Sequence, residues 1–311
     1  MLELIAIFVL GFNIYSKQND VAIVINPIKE DGRLITPRDG HLKHFMEPAP
    51  NATFKKPIVS ILPETVVTYT HNSDSLNERF EYTIIKPKNT FRIVNLGDSW
   101  SYGWGVNTKD NYSEVLEDLL NNKFQCKNFK KFEVLNLAVD GYDIEFSAER
   151  FRRRGQKYNP DLVIWLIKHD DFFPQELIHP LVNAKPIDKS YFENGKVVNP
   201  THSVVEKAFE EMLNRLGKEK MIQYEISALN RFNDYYKDKL LLFLYNILPD
   251  ERRALEEFIE SREHTYIYMK TRNLQSNEII QGDGHPNKMG HQIFANDLFN
   301  YITKHTIIPC N

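Results

Sequence analysis

From Phe91 onward the chain alternates short apolar, β-rich runs with stretches of helical periodicity, and this restricts it to an open sheet of parallel strands covered by helices. The expected strands are Arg92–Leu96, Phe132–Leu137, Asp161–Ile167, Leu240–Tyr245 and Tyr266–Met269. The third is an almost unbroken apolar run, as befits a parallel strand buried on both faces. Helices are expected at Asn111–Asn121, Glu145–Arg153, Asp250–Arg262 and Lys288–Lys304. In such a sheet, active groups gather beyond the carboxyl ends of the strands. Ser99, Gly141 and the segment His169–Asp171 all fall just past expected strand ends, so they should converge on one edge.

Two further regions depart from the alternation. Residues 18–90 lean towards β structure: Val21–Ile25 and Thr65–Thr70 are β-branched runs, and Pro37, Pro48, Pro50 and Pro57 between them read as loop. Residues 91–311 carry the alternating pattern, interrupted at about 172–237 by two charged amphipathic helices, Val204–Leu216 and Lys218–Tyr236. Residues 1–17 contain the apolar stretch Leu4–Phe12, which is shorter than the roughly 20 residues of a membrane span and lacks a preceding basic residue. It reads either as the remnant of a signal-anchor, which would allow membrane association, or as a buried element of the fold.

The formal net charge is −3, and no basic patch carries interleaved aromatics, which argues against a nucleic-acid partner. Cys126 and Cys310 have no metal-ligand spacing. They fit one disulfide or two free thiols equally well. A cell-envelope or secreted location is the favoured expectation, with the cytoplasm as the alternative.

The chemistry is concentrated at Gly97-Asp98-Ser99 and Asp283-Gly284-His285. A serine hydroxyl needs a base within hydrogen-bond reach, and the base needs an orienting group. Ser99 is the candidate nucleophile, His285 the base and Asp283 the orienter. An extended loop would place the last two side chains on the same side. The backbone amides of Ser99 and Gly141 are the candidate oxyanion donors. Asp98 is expected to accept turn amides, and His291 to lie on a helix surface. No metal or organic cofactor is required by this chemistry.

At these residues the chain resembles the SGNH hydrolase superfamily, the GDSL-type esterases and lipases. The matching segments are Gly97-Asp98-Ser99 with Tyr102–Val106, Asn136–Gly141, Pro160–Ile164 leading to Asp170-Asp171, and Asp283–Asn287 followed by Gly290-His291. The resemblance implies a three-layer α/β/α sandwich with a flavodoxin-like parallel sheet. It implies a serine hydrolase of carboxylic esters, including acetyl esters of carbohydrates, with a small-molecule or glycan ester as substrate. The alternatives are a polysaccharide O-acetyltransferase using the same site and a catalytically impaired carbohydrate-binding relative. One departure bears on mechanism. Where the family places an asparagine whose amide donates to the oxyanion, this chain has Asp170, and an ionised carboxylate only accepts. Either Asp170 is held protonated, or His169 donates in its place, or the pocket has two donors.

Overall fold

The structure, a computed structural model, describes residues 42, 44–58, 65–183, 192–193, 196–197 and 200–310. The apolar segment Leu4–Phe12 and the run Val21–Ile25 lie outside the described residues.

Strands β1 (Thr53–Ile58) and β2 (Thr65–Thr70) form an antiparallel pair. Pro57, expected in a loop, stands in β1 opposite Val66. A strand with only one neighbour tolerates a residue that lacks a donor. The run Glu81–Ile85 is irregular, with Ile84 and Ile85 exposed.

The main sheet begins with β3 (Thr90–Leu96), followed by the four-residue helix α1 (Ser99–Tyr102) and α2 (Tyr112–Lys123). Next come β4 (Lys131–Asn136), α3 (Ile144–Arg150), β5 (Leu162–Lys168) and α4 (Gln175–Asn183). A small pair, β6 (Phe192–Glu193) and β7 (Lys196–Val197), precedes α5 (Pro200–Leu216) and α6 (Lys218–Tyr235). The chain closes with β8 (Lys239–Tyr245), α7 (Pro249–Glu260), β9 (Thr265–Met269) and α8 (Lys288–Lys304).

The sheet order is β4-β3-β5-β8-β9, and every pairing is parallel. Alternate residues of each strand face opposite layers. Val94, Leu96, Val163, Trp165 and Ile167 join one cluster with Phe151 and Phe232. Ile93, Ile164, Leu166 and Phe243 join the other with Leu116, Phe294 and Leu298. The result is an α/β/α sandwich. Helix starts are fixed by side-chain caps that satisfy orphan amides: Asn111 accepts from the Glu114 amide, Asp143 from Phe146, and Asn287 from Met289 and Gly290.

Of the two helices expected to interrupt the alternation, α6 places Ile222, Ala228, Leu229 and Phe232 in the core beneath the sheet, as a crossover helix does. Helices α4 and α5 make a smaller cluster of their own through Ile178, Ala208, Phe209 and Met212. Cys126 and Cys310 form a disulfide that ties the C-terminus to the connection after α2. No helix among the described residues is long and apolar enough to cross a membrane.

Candidate active site

In the sheet, β4 lies on one side of β3 and β5 on the other, so the connections diverge at the β3–β5 boundary. A crevice opens there beyond the strand ends. Ser99 leaves β3 at this crevice. Gly97, at φ +142°, makes the turn, and a Cβ there would run into the Ser101 side chain. Asp98 caps α1: its Oδ1 accepts the Trp100 amide at 2.9 Å, as expected of a turn carboxylate.

The serine and the distant histidine meet. Ser99 Oγ lies 2.9 Å from His285 Nε2, across 186 residues of chain. His285 Nδ1 is bonded to Asp283 Oδ1, which also accepts the His285 backbone amide at 3.2 Å. The local geometry differs from the extended loop expected. The chain turns tightly, with the amides of Asp283 and Gly284 both donating to the Ile280 carbonyl and Gly284 at φ +89°. Glycine accepts that angle without strain, and the turn folds the carboxylate back onto the ring and amide of His285. Asn287, not His285, caps α8.

Asp283 is nearly buried, and burial alone would push its pKa up; the His285 ring, the His285 amide and the Trp104 indole hold it below the usual carboxylate value. Trp104 Nε1–H donates to Asp283 Oδ2 at 3.3 Å. The Trp104 ring faces His285 at 5.9 Å between centroids, and Lys56 from β1 sits 3.1 Å above the same indole. Burial pushes the Lys56 ammonium down to about 8, against the pull of Asp140 and Asp283. Asp140 is pushed up to about 6 by burial, opposed by Lys56 and His285. Ser99 and His285 are 0% and 1% exposed, so the serine hydroxyl lies beneath this cover.

A cavity reached by Asp98, the residue before Ser99, has walls that include Gly141, Tyr142, Asp170, Gln175 and Phe209. Gly141 and Asp170 therefore line one space. Asp170 Oδ1 is 2.5 Å from Lys168 Nζ, and the same ammonium is 2.7 Å from Asp98 Oδ2. His169 bonds Glu251 through Nδ1 at 2.6 Å, which commits that nitrogen to α7. His291 is not on a surface: it is fully buried, stacked 6.0 Å from Tyr112, and burial depresses its pKa to about 3. An apolar helix face carried it inward, and the Gly290-His291 pair gave no sign of that depth.

Sequence reasoning had given no role to Trp104, Lys56, Asp140 or Lys168. Trp104 stands two residues past α1, and its aromatic character inside a glycine-bounded loop was the available signal. Nothing local marks Lys56, because its place depends on how the β1–β2 pair docks. That docking uses the Thr68 and Thr70 amides, which donate to Asn107 Oδ1 at 3.0 Å and Thr108 Oγ1 at 2.8 Å.

No protein-family model and no curated protein matches the sequence at a significant level. Solved structures do match. A two-domain esterase active on acetylated mannans aligns at 13% identity and TM-score 0.45, over 69% of this chain and 49% of that one. The chain thus spans about half the length of that protein. A psychrotrophic esterase from Pseudoalteromonas sp. aligns at 14% identity and TM-score 0.42, over 70% and 99% of the two chains. An acetylxylan esterase from Geobacillus stearothermophilus aligns at 14% identity and TM-score 0.40, over 70% and 96%.

Proposed function

We propose that this chain is a serine hydrolase of carboxylic esters, with Ser99 as nucleophile, His285 as general base and Asp283 as its orienter. The observation that carries the reading is the continuous line from Ser99 Oγ to His285 Nε2 to Asp283, built from residues 186 positions apart. In the first step His285 Nε2 takes the Ser99 proton as Oγ attacks the ester carbonyl, and the carbonyl oxygen becomes an oxyanion. Asp283, kept ionised by its donors, holds Nδ1–H and stabilises the imidazolium. Collapse of the tetrahedral intermediate expels the alcohol, which takes the proton from Nε2, and an acyl-Ser99 remains. Water then repeats the sequence and releases the acid. The amides of Ser99 and Gly141 are assigned to the oxyanion, and each such donor contributes about 3 to 4 kcal/mol in known enzymes.

Acetylated carbohydrate is the proposed substrate class. The cavity that Asp98 and Gly141 line is bounded by the aromatic residues Tyr142 and Phe209 and by the polar residues Asp170 and Gln175, a mixed lining that suits a sugar. A second reading, acetyl transfer to a saccharide hydroxyl, is favoured by the complete burial of Ser99, which would shield an acyl-enzyme from bulk water.

The test is covalent labelling by a fluorophosphonate probe together with hydrolysis of p-nitrophenyl acetate. Both should vanish in Ser99→Ala, and retention of both sinks the assignment. Acetylated sugar formed on adding a saccharide acceptor would select transfer over hydrolysis.

A further inference from the structure

We propose that Lys168 is the positioning residue that lets a carboxylate stand in this pocket where an oxyanion must form; the proposal rests on Ser99 being the nucleophile. Its ammonium is almost wholly buried, with 4% of the side chain exposed, at the carboxyl end of β5. It contacts two carboxylates at once, Asp98 Oδ2 at 2.7 Å and Asp170 Oδ1 at 2.5 Å. The first of these adjoins the nucleophile in sequence, and the second lines the cavity together with Gly141.

The arrangement divides labour between oxygens. Asp98 spends Oδ1 on the Trp100 amide, which starts the nucleophile's helix, and Oδ2 on Lys168. The ammonium also lies 5.3 Å above the Trp100 ring, so the residue after Ser99 is held by the same cation. Behind it, the Lys168 amide donates to Asp171 Oδ2 at 2.8 Å, which fixes the turn that presents Asp170. Three carboxylates, those of Asp98, Asp170 and Asp171, surround one lysine. Without that cation, the developing negative charge on the ester oxygen would face uncompensated carboxylate. With it, Asp170 is drawn onto Nζ and its repulsion of the oxyanion is offset. Lys168 acts through Asp170 and Asp98, so its signature lies in kcat and not in substrate affinity.

The experiment measures kcat and KM for p-nitrophenyl acetate in the full chain. Lys168→Met should lower kcat at least 100-fold with KM within threefold. Lys168→Arg, which keeps the charge, should retain at least a tenth of the parent kcat. Adding Asp170→Asn to Lys168→Met should recover at least tenfold of the lost kcat, because the uncompensated charge is then gone. Asp170→Asn alone should raise kcat at least threefold, since an amide donates where the carboxylate only accepts. A kcat for Lys168→Met within threefold of the parent, or a double variant no better than Lys168→Met, overturns the proposal. Should Lys168→Met fail to fold, a 100-fold fall in Asp170→Asn overturns it equally, for the carboxylate would then be needed in its own right. Activity retained in Ser99→Ala would sink the nucleophile assignment as well; an unaffected Lys168→Met beside an inert Ser99→Ala sinks this inference alone.

Discussion

Two buried carboxylates flank Ser99, and the protein treats them in opposite ways. Asp283 and Asp98 are 9% and 2% exposed, so burial pushes both pKa values up. Asp283 nonetheless stays below its ordinary value, because the His285 ring, the His285 amide and the Trp104 indole are all directed at it. Asp98 ends above its ordinary value, since the Lys168 ammonium that would hold it down is shared with Asp170, whose own charge pushes back. Asp98 is the more deeply buried of the two and its cation is shared, so both burial and the supply of donors separate the outcomes. On the histidine side the result is a dependable anion. On the lysine side it is a balance that one substitution can tip.

Removing the dependable anion should have the largest effect. Asp283→Asn keeps the shape of the turn but favours the wrong ring tautomer, and kcat for p-nitrophenyl acetate should fall about 10³ to 10⁴-fold. A fall of less than tenfold would show that Asp283 is not the orienter. Tipping the balance on the other side should act on stability. Asp98→Ala removes the cap on the Trp100 amide and one of the two contacts of a buried ammonium, at a cost of about 3 kcal/mol. Urea unfolding with an unchanged m-value checks this. A loss under roughly 0.5 kcal/mol would mean that the nucleophile's turn holds without its cap.

A third carboxylate extends the comparison to a case with no cation in contact among the described residues. Asp143 caps α3, accepting the Phe146 amide at 2.7 Å and the Gln175 amide at 2.6 Å. Burial, then the charge of Glu145, pushes it up to about 7 against those amides and the neighbouring Glu225. Glu225 is itself driven well above its ordinary range by burial and by Asp143. The folded chain therefore keeps a proton on Asp143 that the unfolded chain releases near pH 4. Stability tied to that proton is complete below about pH 4 and is lost as pH rises through about 7. Between pH 5 and pH 8 the parent should lose roughly 3 kcal/mol more unfolding free energy than Asp143→Asn. Equal slopes for the two chains would show that the pair does not hold its proton.

The sheet was legible because parallel strands buried on both faces leave unbroken apolar runs. Leu162–Lys168 and Lys239–Tyr245 came within a residue or two of expectation, and α8 matched at both ends. The pairing of Ser99 with His285 was legible from the chemistry, since a serine in a strand-end turn needs a base and a histidine with a near carboxylate stood before the last helix. The reason given for the nearness of Asp283 was not the operating one: a tight turn at Gly284 brings the groups together, and single-residue φ angles leave little trace in a pattern of hydrophobicity. Lys168 and Lys56 stayed hidden for a different cause. A lysine's worth depends on the carboxylates or rings that tertiary contact sets beside it, and those come from the N-cap of α1, the loop after it and the turn after β5. The depth of His291 escaped for the same reason.

The smallest expected effect is also the sharpest probe of why Asp283 differs from Asp98. Trp104→Phe keeps an aromatic face beneath Lys56 and beside His285 but deletes the N–H that reaches Asp283 at 3.3 Å. Asp283 would keep the His285 ring and amide, so its anion should survive with one donor fewer. A hydrogen bond of this length to a charged acceptor contributes about 1 kcal/mol, which corresponds to a fall in kcat of about fivefold with little change in folding. Trp104→Ala should cost more, because it also uncovers His285 and removes the support of Lys56. If Trp104→Phe and Trp104→Ala lose activity equally and heavily, the indole N–H is the controlling donor. If Trp104→Phe loses nothing, His285 alone keeps Asp283 ionised, and the contrast with Asp98 reduces to an imidazole held by one carboxylate against a lysine divided between two.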